Sequence, residues 1–397
     1  MHADRAAIAT ALAALDAGAL RRRRRVIDHY PQPDDGTRAS VAGRLVRVFC
    51  SNDYLGLAHH PELRAALQAT ARQFGVGSGA AHLITGHSRP HQQLEEELAE
   101  YTGRERALLF STGYMANLGV LAALAGRGES VLEDRLNHAS LIDGARVSGA
   151  QLVRYAHADV TAAALALDAH PDCTLIASDG LFSMDGDVAP LRELATLASR
   201  HRAWLLVDDA HGLGVLGATG RGSLELAGLD STAAPLLIGT LGKAMGCSGA
   251  FVAGDSDVIE LILQRARTYI YTTALPPVIA GAASAALRLA QRESWRREKL
   301  RALVSRLRAG AAALALPLPL LASDSPIQPL MVGEAARAQR LSEALFELGY
   351  WVTAIRPPTV PAGSARLRIT LSAAHSEADI DELLAALERV WRADVAP

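Results

Sequence analysis

Short apolar runs alternate with helical patterns through the middle of the chain, between about residues 107 and 275. The apolar runs predict buried strands, and apolar residues that recur every three or four positions between them predict helices. The predicted strands are 107–110, 130–133, 151–155, 174–178, 204–207, 236–238 and 250–253, and the predicted helices are 116–125, 139–148, 160–168 and 190–201. This alternation favours an α/β domain built on a mostly parallel sheet of seven strands.

The regions that flank this alternation follow other patterns. Ile8, Leu12 and Leu15 stand at helical spacing and predict an amphipathic helix over residues 4–20. Further predicted elements are a strand over 44–50, a helix that opens at Pro61, a glycine-dense functional loop over 74–82, a helix over 94–101, long helices over 278–314, strands near 327–332, 350–354 and 365–371, and a final helix over 377–391. Helices combined with a small sheet predict a second, smaller α+β domain.

We therefore expect three regions along the 397 residues. Residues 1–50 form an N-terminal helix and arm that pack with the small domain, residues 51–275 form the large α/β domain, and residues 276–397 form the small C-terminal α+β domain. At roughly 150 residues per domain, the length of the chain agrees with two main domains.

The charges of the chain nearly cancel, because 40 Lys and Arg residues oppose 42 Asp and Glu residues for a formal net charge of −2. Such a chain has no basic field, so nucleic acid is not an expected partner. No apolar run reaches the roughly 18 to 20 residues of a membrane span, and the N-terminus lacks the order of a signal peptide. The three cysteines show neither disulfide nor zinc spacing, so we expect a cytoplasmic protein without a membrane partner.

Lysine is rare in this chain, since all but two of the 40 basic residues are arginines. Lys299 lies in the charged run Arg296–Arg301, which is typical of a solvated helix face. Lys243 follows the predicted strand 236–238, with a glycine on either side at Gly242 and Gly246. A guanidinium stays protonated, so arginine cannot replace lysine in an imine. Lys243 is therefore the candidate for imine chemistry.

Polar residues follow several of the predicted strands, and in open α/β sheets ligands bind at the carboxyl ends of the strands. These positions carry Ser111–Tyr114 at the start of a helix, His138, Ser183, Asp208, Asp209, His211, Thr240 and Lys243. A helix start favours a phosphate. A lysine, a carboxylate and an imidazole complete the set that pyridoxal phosphate (PLP) requires. The pattern alone does not decide between Asp208 and Asp209 as the carboxylate.

Seven segments, in this order, resemble the α-oxoamine synthases, a family of fold-type-I PLP enzymes. They are Ser51–Leu57, Gly75–Gly79, Ser111–Asn117, Asn137–Ser140, Leu181–Asp187, Val207–Gly212 and Gly239–Lys243. The resemblance implies the fold-type-I PLP-transferase fold, with a large domain around a seven-stranded, mostly parallel sheet and a smaller α+β domain. It also implies an enzyme that uses PLP as its cofactor.

The resemblance assigns roles around that cofactor. Lys243 would hold PLP as an imine and act as general base, Asp208 would pair with the pyridine nitrogen, and His138 would stack on the ring. The remaining cofactor contacts would come from Gly113, Tyr114, Ser183, His211 and Thr240, with Ser183 and His211 at the phenolic oxygen and Thr240 near the phosphate. Lys243, His138, Asp208 and His211 form the expected catalytic set.

The segments Ala354–Pro361 and Arg366–Arg368 resemble those members of the family that condense L-alanine with a pimeloyl thioester in biotin biosynthesis, with loss of CO2. The thioester is carried by CoA or by an acyl carrier protein (ACP). The substrate contacts implied are Arg21, Asn52, His138, Arg356 and Thr359. The run Arg21–Arg25 leaves the register of the first contact open, and it suits a carboxylate, the phosphates of CoA or an acidic ACP.

The resemblance further implies a homodimer, because fold-type-I enzymes usually complete each active site with residues of a second subunit. Tyr271–Thr273 is the segment expected to reach the phosphate bound by the partner, through Thr272 or Thr273.

Other functions stay open on the sequence. Sister synthases that use glycine or serine are 2-amino-3-ketobutyrate CoA ligase, 5-aminolevulinate synthase and serine palmitoyltransferase; an aminotransferase shares the fold and the lysine, and a PLP-sensing regulatory domain would show no turnover. His82, His87 and His91 stand close along the chain, but no nearby carboxylate completes a metalloprotease motif, so we expect no metal site.

Overall fold

The chain folds into two units, which the computed structural model describes for residues 5–33, 35–314 and 318–395. The larger unit contains Leu55–Ser183 and Asp187–Arg297. The smaller unit contains the described residues up to Tyr54, the short segment Met184–Gly186 and the described residues from Glu298 onward.

The strands, in chain order, are β1 Ile27–His29, β2 Arg38–Val41, β3 Arg44–Val48, β4 Arg106–Phe110, β5 Ser130–Asp134, β6 Gln151–Tyr155, β7 Cys173–Asp179, β8 Trp204–Asp208, β9 Leu236–Thr240, β10 Ala250–Gly254, β11 Ile327–Gly333, β12 Tyr350–Trp351, β13 Thr353–Ile355 and β14 Ala365–Thr370.

The helices are α1 Arg5–Ala17, α2 Pro61–Phe74, α3 Arg89–Thr102, α4 Gly113–Leu124, α5 Ala139–Ser148, α6 Val160–Ala169, α7 Leu191–His201, α8 Ser223–Ala227, α9 Ser256–Arg265, α10 Arg267–Ile270, α11 Pro277–Arg292, α12 Trp295–Ala313, α13 Ala335–Glu347 and α14 Glu377–Val395. A π-helical turn, His82–Gly86, precedes α3. Among the helices in the described parts of the chain, none combines the length and the apolar composition that crossing a bilayer requires.

The larger unit is built around a seven-stranded sheet with the order β4-β10-β9-β8-β7-β5-β6. β10 runs antiparallel to β4 and β9, and the pairs from β9 to β6 are parallel. Each predicted strand lies inside an observed one, so the predicted seven-stranded, mostly parallel sheet is confirmed. The parallel strands bring their carboxyl ends to one edge of the sheet, which is where the predicted site residues stand.

Alternating residues of the central strands pack into two separate hydrophobic cores. Leu206 of β8 belongs to the core formed with α4, α5 and α9, and its neighbours Leu205 and Val207 belong to the core formed with α6 and α7. Each fully buried side chain of this size contributes roughly 1.5–3 kcal/mol relative to exposure. Because both faces are covered, the strand ends are held rigidly for the residues that follow them.

The smaller unit contains two sheets, with the orders β1-β2-β3-β12 and β11-β14-β13. The single strand predicted over 350–354 is wrong, because the chain changes sheets at Val352. β12 pairs with β3, and β13 pairs with β14. Val352 between them is fully buried, and its carbonyl accepts a hydrogen bond from Ser342 Oγ at 2.6 Å.

Two further regions differ from the pattern-based expectations. The helix predicted at the N-terminus is present as α1, but its apolar residues Ile8, Leu12 and Leu15 are 57%, 38% and 41% exposed. α11, which the predicted boundary near residue 275 assigned to the C-terminal domain, belongs to the larger unit. α11 packs directly on α2 because Gly281 has no side chain; a Cβ there would lie 2.1 Å from Thr70 Oγ1.

Candidate active site

A cavity of about 200 Å3 lies at the carboxyl edge of the large sheet. We call it the lysine pocket. It is lined by Gly113, Tyr114, Asn117, His138, Ser140, Asp179, Ser183, Asp208, Ala210, His211, Thr240 and Lys243. The structure thus brings together every residue that the sequence assigned to the cofactor. A larger groove of about 990 Å3, near Trp204 and Pro235 at the opposite ends of the strands, contains none of the predicted residues.

Lys243 lies in the loop of residues 241–249 that connects β9 to β10. Its Nζ is 2.8 Å from His211 Nε2. Thr240 Oγ1 donates to the Gly249 carbonyl at 3.0 Å and accepts from Gly242 N at 3.2 Å, so one hydroxyl holds both ends of the loop. Gly246 has φ +64°, and a Cβ at this position would lie 2.3 Å from the backbone nitrogen of Ala58. Only glycine fits there, and the lysine is therefore held in one place.

The two consecutive aspartates after β8 have different surroundings. Asp208 lines the pocket; its Oδ2 accepts from Asn117 Nδ2 at 2.6 Å and its Oδ1 from Ala210 N at 3.0 Å. Asp209 is fully buried, and its Oδ2 accepts from Ser223 N at 2.7 Å. Burial raises the pKa of Asp209 to about 6. The geometry thus distinguishes a pocket carboxylate, Asp208, from a carboxyl that holds a loop, Asp209.

His138 is the N-cap of α5 and lines the same pocket. Its Nδ1 lies 2.6 Å from Ser140 Oγ, and its backbone N donates to Asp179 Oδ2 at 2.9 Å. Burial lowers the pKa of His138, which favours the neutral imidazole. Burial and the neighbouring Asp208 raise the pKa of Asp179 well above its usual value. The neutral imidazole ring of His138 is suited to stacking against another ring.

The N-terminus of α4 forms another wall of the pocket. Thr112 is the N-cap, and its hydroxyl accepts from Met115 N at 3.2 Å. Gly113 and Tyr114 occupy the first two helical positions, where backbone N–H groups have no partner inside a helix. These groups and the helix dipole favour an anion such as a phosphate. The Tyr114 hydroxyl donates to Asp143 Oδ2 on α5.

Ser183 stands in the loop that follows β7, and a histidine that the sequence analysis did not single out holds this loop. His157 Nδ1 lies 3.0 Å from Asp134 Oδ1, and its Nε2 lies 2.8 Å from Asp187 Oδ2. Burial disfavours protonation of His157, but the hydrogen bonds to the two carboxylates outweigh it and raise its pKa to about 10. The imidazolium therefore ties together the loops after β5, β6 and β7. The three residues His157–Asp159 after β6 were the available signal, because they again follow a strand end.

The predicted substrate residues Arg21 and Arg356 line a second cavity, of about 710 Å3, in the smaller unit. We call it the arginine cavity. Arg21 pairs with Asp16 at 2.6 Å, and Arg356 donates to the Ala19 carbonyl. The other charged residues that line the arginine cavity are Arg23, Arg24, Arg25 and Glu343. Thr359, also predicted, accepts from Arg22 at 3.2 Å.

The arginine cavity is strongly cationic despite its two carboxylates. Arg25 pairs with Glu343 and lies 3.7 Å above the ring of Phe346. Burial, with the nearby Arg22 charge, lowers the pKa of Arg356. A cavity in which guanidinium groups repel one another favours an anionic ligand.

Asn52, another predicted substrate residue, lies elsewhere in the smaller unit, beside a residue without a predicted role. Asn52 Oδ1 accepts from Arg368 Nη1 at 3.1 Å and from the Tyr54 hydroxyl at 3.1 Å. The Arg368 guanidinium also donates to Tyr54 Oη at 3.4 Å, and Arg368 is 7% exposed. Because the buried guanidinium of Arg368 is hydrogen-bonded to a predicted substrate residue, Arg368 is itself a candidate for binding a carboxylate. Arg368 belongs to the segment Arg366–Arg368, which resembles the family. The alternation of arginine and leucine in that segment gave no reason to prefer Arg368 to Arg366 as a substrate contact.

The segment Tyr271–Thr273, predicted to reach a partner, lies at the surface of the larger unit. Tyr271 is 71% exposed, and Ser111 Oγ lies 3.4 Å from the Thr273 carbonyl.

The three histidines that stand close along the chain also lie close together in the structure. One ring nitrogen of His82 and one of His87 are 2.9 Å apart. His91 Nδ1 accepts from Ser88 N, and its Nε2 contacts the Leu275 carbonyl. Both nitrogens of His91 are thus used within the protein.

Comparisons with known proteins agree over nearly the whole chain. Residues 46–387 match the family model described as aminotransferase class I and II. An 8-amino-7-oxononanoate synthase of Thioalkalivibrio sulfidiphilus is 59% identical over 375 residues, which cover 94% of each chain. The enzyme of the same name from Methylococcus capsulatus is 58% identical over 380 residues, 96% of this chain and 97% of the relative.

Solved structures give the same result. A serine palmitoyltransferase of Sphingomonas wittichii superposes with a TM-score of 0.92 at 32% identity, over 99% of this chain and 98% of that one. An 8-amino-7-oxononanoate synthase of Francisella tularensis superposes with a TM-score of 0.77 at 31% identity, over 88% and 99%. A serine palmitoyltransferase of S. paucimobilis, with bound PLP–myriocin aldimine, superposes with a TM-score of 0.91 at 31% identity, over 98% of each chain.

Proposed function

Since the chain belongs to the class I and II aminotransferase family, among the 8-amino-7-oxononanoate synthases, we propose that it condenses L-alanine with a pimeloyl thioester. The products are 8-amino-7-oxononanoate, CO2 and the free thiol of the carrier, and the reaction is a step of biotin biosynthesis. The expected α-oxoamine synthase family and fold-type-I fold are thereby confirmed.

One observation carries the chemistry to this chain. Lys243, one of its two lysines, places Nζ 2.8 Å from His211 Nε2 inside a pocket that also holds the carboxylate of Asp208. Lys299, the other lysine, is on α12 in the smaller unit. Imine formation and proton abstraction both require an unprotonated amine, and the imidazole of His211 beside Lys243 Nζ can accept its proton.

The lysine pocket fits PLP, the cofactor that the family implies. Lys243 offers the amine, Asp208 a carboxylate for the pyridine nitrogen, and the first turn of α4 offers backbone N–H groups for the phosphate. Within the described residues, the buried Asn117 Oδ1 at this pocket has no hydrogen-bond partner, as expected where a ligand contributes contacts. When bound, PLP acts as an electron sink for charge that develops at the substrate carbon.

The residues of the pocket divide the remaining work. Lys243 removes the Cα proton of alanine and later returns a proton, and His211, in contact with its Nζ, is the partner that can relay it. Ser183 and His211 would hold the phenolic oxygen of the cofactor, and Thr240 would keep the lysine loop in place near its phosphate. His138 would stack on the ring, where burial lowers the pKa of its imidazole.

The cations of the smaller unit recognise the carboxylates of the substrates. We assign the α-carboxylate of alanine to Arg368 and Asn52, which are hydrogen-bonded to each other. We assign the distal carboxylate of the pimeloyl chain to the arginine cavity, with Arg21 and Arg356 as contacts and Thr359 beside Arg22. Bidentate guanidinium pairs suit both groups.

The proposed assembly is a homodimer in which Tyr271–Thr273 reaches the partner's phosphate. The exposure of Tyr271, at 71%, and of the neighbouring apolar residues Val76, at 77%, and Ile84, at 75%, supports a covered surface here. The acyl donor is CoA-bound or ACP-bound, and the ACP would be an additional partner.

The test is an assay of the holoenzyme with L-alanine and pimeloyl-CoA or pimeloyl-ACP, with the amino ketone identified by mass. We expect 8-amino-7-oxononanoate and CO2 in equal amounts. Product from glycine with acetyl-CoA or succinyl-CoA, or from serine with palmitoyl-CoA, and none from alanine, would assign a sister reaction. Accumulation of pyruvate from alanine alone would instead indicate an aminotransferase.

A further inference from the structure

Asn117 connects two walls of the lysine pocket. It lies on α4 and is 1% exposed. Its Nδ2 donates to Ser140 Oγ at 2.8 Å and to Asp208 Oδ2 at 2.6 Å. Ser140 Oγ lies 2.6 Å from His138 Nδ1. One buried amide therefore joins the carboxylate proposed for the pyridine nitrogen to the imidazole proposed to stack on the ring.

The chemistry of the partners sets the direction of these hydrogen bonds. An ionised carboxylate only accepts, so the amide atom that faces Asp208 is nitrogen. The second N–H of that nitrogen is directed at Ser140 Oγ, which accepts it and donates its own hydrogen to His138 Nδ1. His138 Nδ1 is then an acceptor, and it also accepts from the Ser140 backbone N at 3.3 Å. The proton of the neutral imidazole is consequently on Nε2.

The network is held on several sides. Asp208 Oδ1 accepts from Ala210 N at 3.0 Å, so each oxygen of this carboxylate has its own donor. α4 and α5 pack directly where Gly144 approaches the Asn117 carbonyl; a Cβ on Gly144 would lie 3.0 Å from that oxygen. The charged or ionisable groups that face His138 are Asp143, Asp179, Asp208 and Lys243.

We propose that Asn117 is a positioning residue that orients Asp208 and, through the Ser140 hydroxyl, supports the Nε2-protonated form of His138. The inference rests on the proposed function for the identity of the cofactor. Without the amide, Asp208 Oδ2 loses a donor, and the Ser140 hydroxyl loses the donor that directs its own hydrogen to His138 Nδ1. Hydrogen bonds to charged groups of this kind correspond to about 10- to 100-fold in an equilibrium constant.

The experiment compares Asn117→Leu, Asn117→Ser and Ser140→Ala with the wild-type protein. PLP is titrated into each apoprotein, and the visible absorbance of the bound cofactor is followed against pH. For Asn117→Leu, of similar volume but without a donor, we expect PLP affinity to fall at least about 10-fold and the pH midpoint to move by about one unit. Asn117→Ser keeps one O–H donor, so its PLP affinity and pH midpoint should lie between those of wild type and Asn117→Leu. Ser140→Ala should move the midpoint less than Asn117→Leu does, because the hydrogen bond from Asn117 to Asp208 remains.

Gln328→Leu is the matched control for loss of a buried amide. Gln328 is fully buried in the smaller unit, and its Nε2 also donates twice, to the carbonyls of Ser323 and Ser325 at 2.8 and 2.7 Å. We expect it to lower thermal stability without moving the pH midpoint. If Asn117→Leu is folded and keeps the wild-type affinity and midpoint, or if Gln328→Leu moves them equally, the inference is overturned.

The outcomes separate this inference from the proposed function. If the wild-type protein binds PLP but makes no amino ketone, the proposed function fails, and the cofactor titrations still decide the role of Asn117. If Asn117→Leu does not fold, Asn117→Ser and Ser140→Ala decide it; a wild-type midpoint in both would contradict the proposal. Failure of the wild-type protein to bind PLP overturns both.

Discussion

The lysine pocket and the arginine cavity hold their charges in different ways. In the lysine pocket, Asp208 is 6% exposed and each oxygen has a donor, and Lys243 lies against His211. In the arginine cavity, the side chain of Arg23 is 78% exposed, and its contact with Asp16 is 3.4 Å. Water and salt screen exposed charges but not buried ones. We therefore expect all-or-none effects of substitution in the first region and graded, salt-dependent effects in the second.

The largest effect is expected at the lysine. Lys243→Ala should lower kcat by at least about 10³-fold, because it removes both the covalent anchor and the general base. Lys299→Ala is the matched control, since it deletes the other lysine of the chain, and it should stay within about twofold of wild type. The assay is amino ketone formation, and borohydride reduction should label the peptide that contains Lys243. Label on the Lys299 peptide would contradict the assignment.

The next effect compares the two neighbouring aspartates. Asp208→Asn removes the charge proposed to keep the pyridine nitrogen protonated and should lower kcat by about 10²- to 10³-fold. Asp209→Asn alters a carboxyl that binds Ser223 N outside the pocket, so it should change the melting temperature while kcat stays within about threefold. Equal losses of kcat in the two variants would contradict the assignment of Asp208, and not Asp209, as the carboxylate of the lysine pocket.

A smaller, salt-dependent effect is expected in the arginine cavity. Arg356→Ala should raise KM for the pimeloyl thioester about 10-fold with little change in kcat, because it removes a cation that pairs with the distal carboxylate. Arg23→Ala, at a position whose side chain is 78% exposed, should change KM by less than about threefold. KM measured in low and high salt checks the comparison, and a large fall in kcat for Arg356→Ala would place this residue in the chemical step instead.

The smallest effect concerns pH and His157, a cation that can titrate where arginines do not. Its pKa in the folded protein is raised to about 10, above the ordinary value of 6.5. The stabilisation is therefore complete below about pH 6.5 and is lost as the pH rises towards 10. Urea unfolding of wild type and His157→Gln should show a difference in stability that shrinks over this range. A difference that stays constant from pH 6 to pH 10 would mean that the imidazolium is not what holds Asp134 and Asp187.

The sheet could be predicted because its strands are buried on both faces and read as continuous apolar runs. The positions of Lys243 and His138 followed from those runs, since both residues lie within four positions of the end of a buried strand, where the chain has little freedom. The choice of Asp208 over Asp209 came from the resemblance, and the geometry supplies a reason: successive side chains after a strand point to different sides. The direction of the Asp209 side chain is fixed by its hydrogen bond to Ser223, which lies fourteen residues further along the chain.

The parts that the sequence did not predict depend on contacts between distant residues. The break at Val352 arises because β12 and β13 find partners in different sheets, which no local pattern records. Arg368 stands out only once its contact with Asn52 is seen. The register of Arg21–Arg25 was open because five identical side chains carry no information about which one turns inward.

The confinement of Lys243 to a pocket, in a chain whose other cations are almost all guanidinium groups, also affects how the protein meets reactive small molecules. Aldehydes, activated esters and other amine-directed reagents find two lysine side chains in 397 residues. Lys299 lies half-buried on α12, and Lys243 lines the lysine pocket. A chain rich in arginine keeps its positive charges, because the guanidinium stays protonated, while it offers such electrophiles few amines with which to condense.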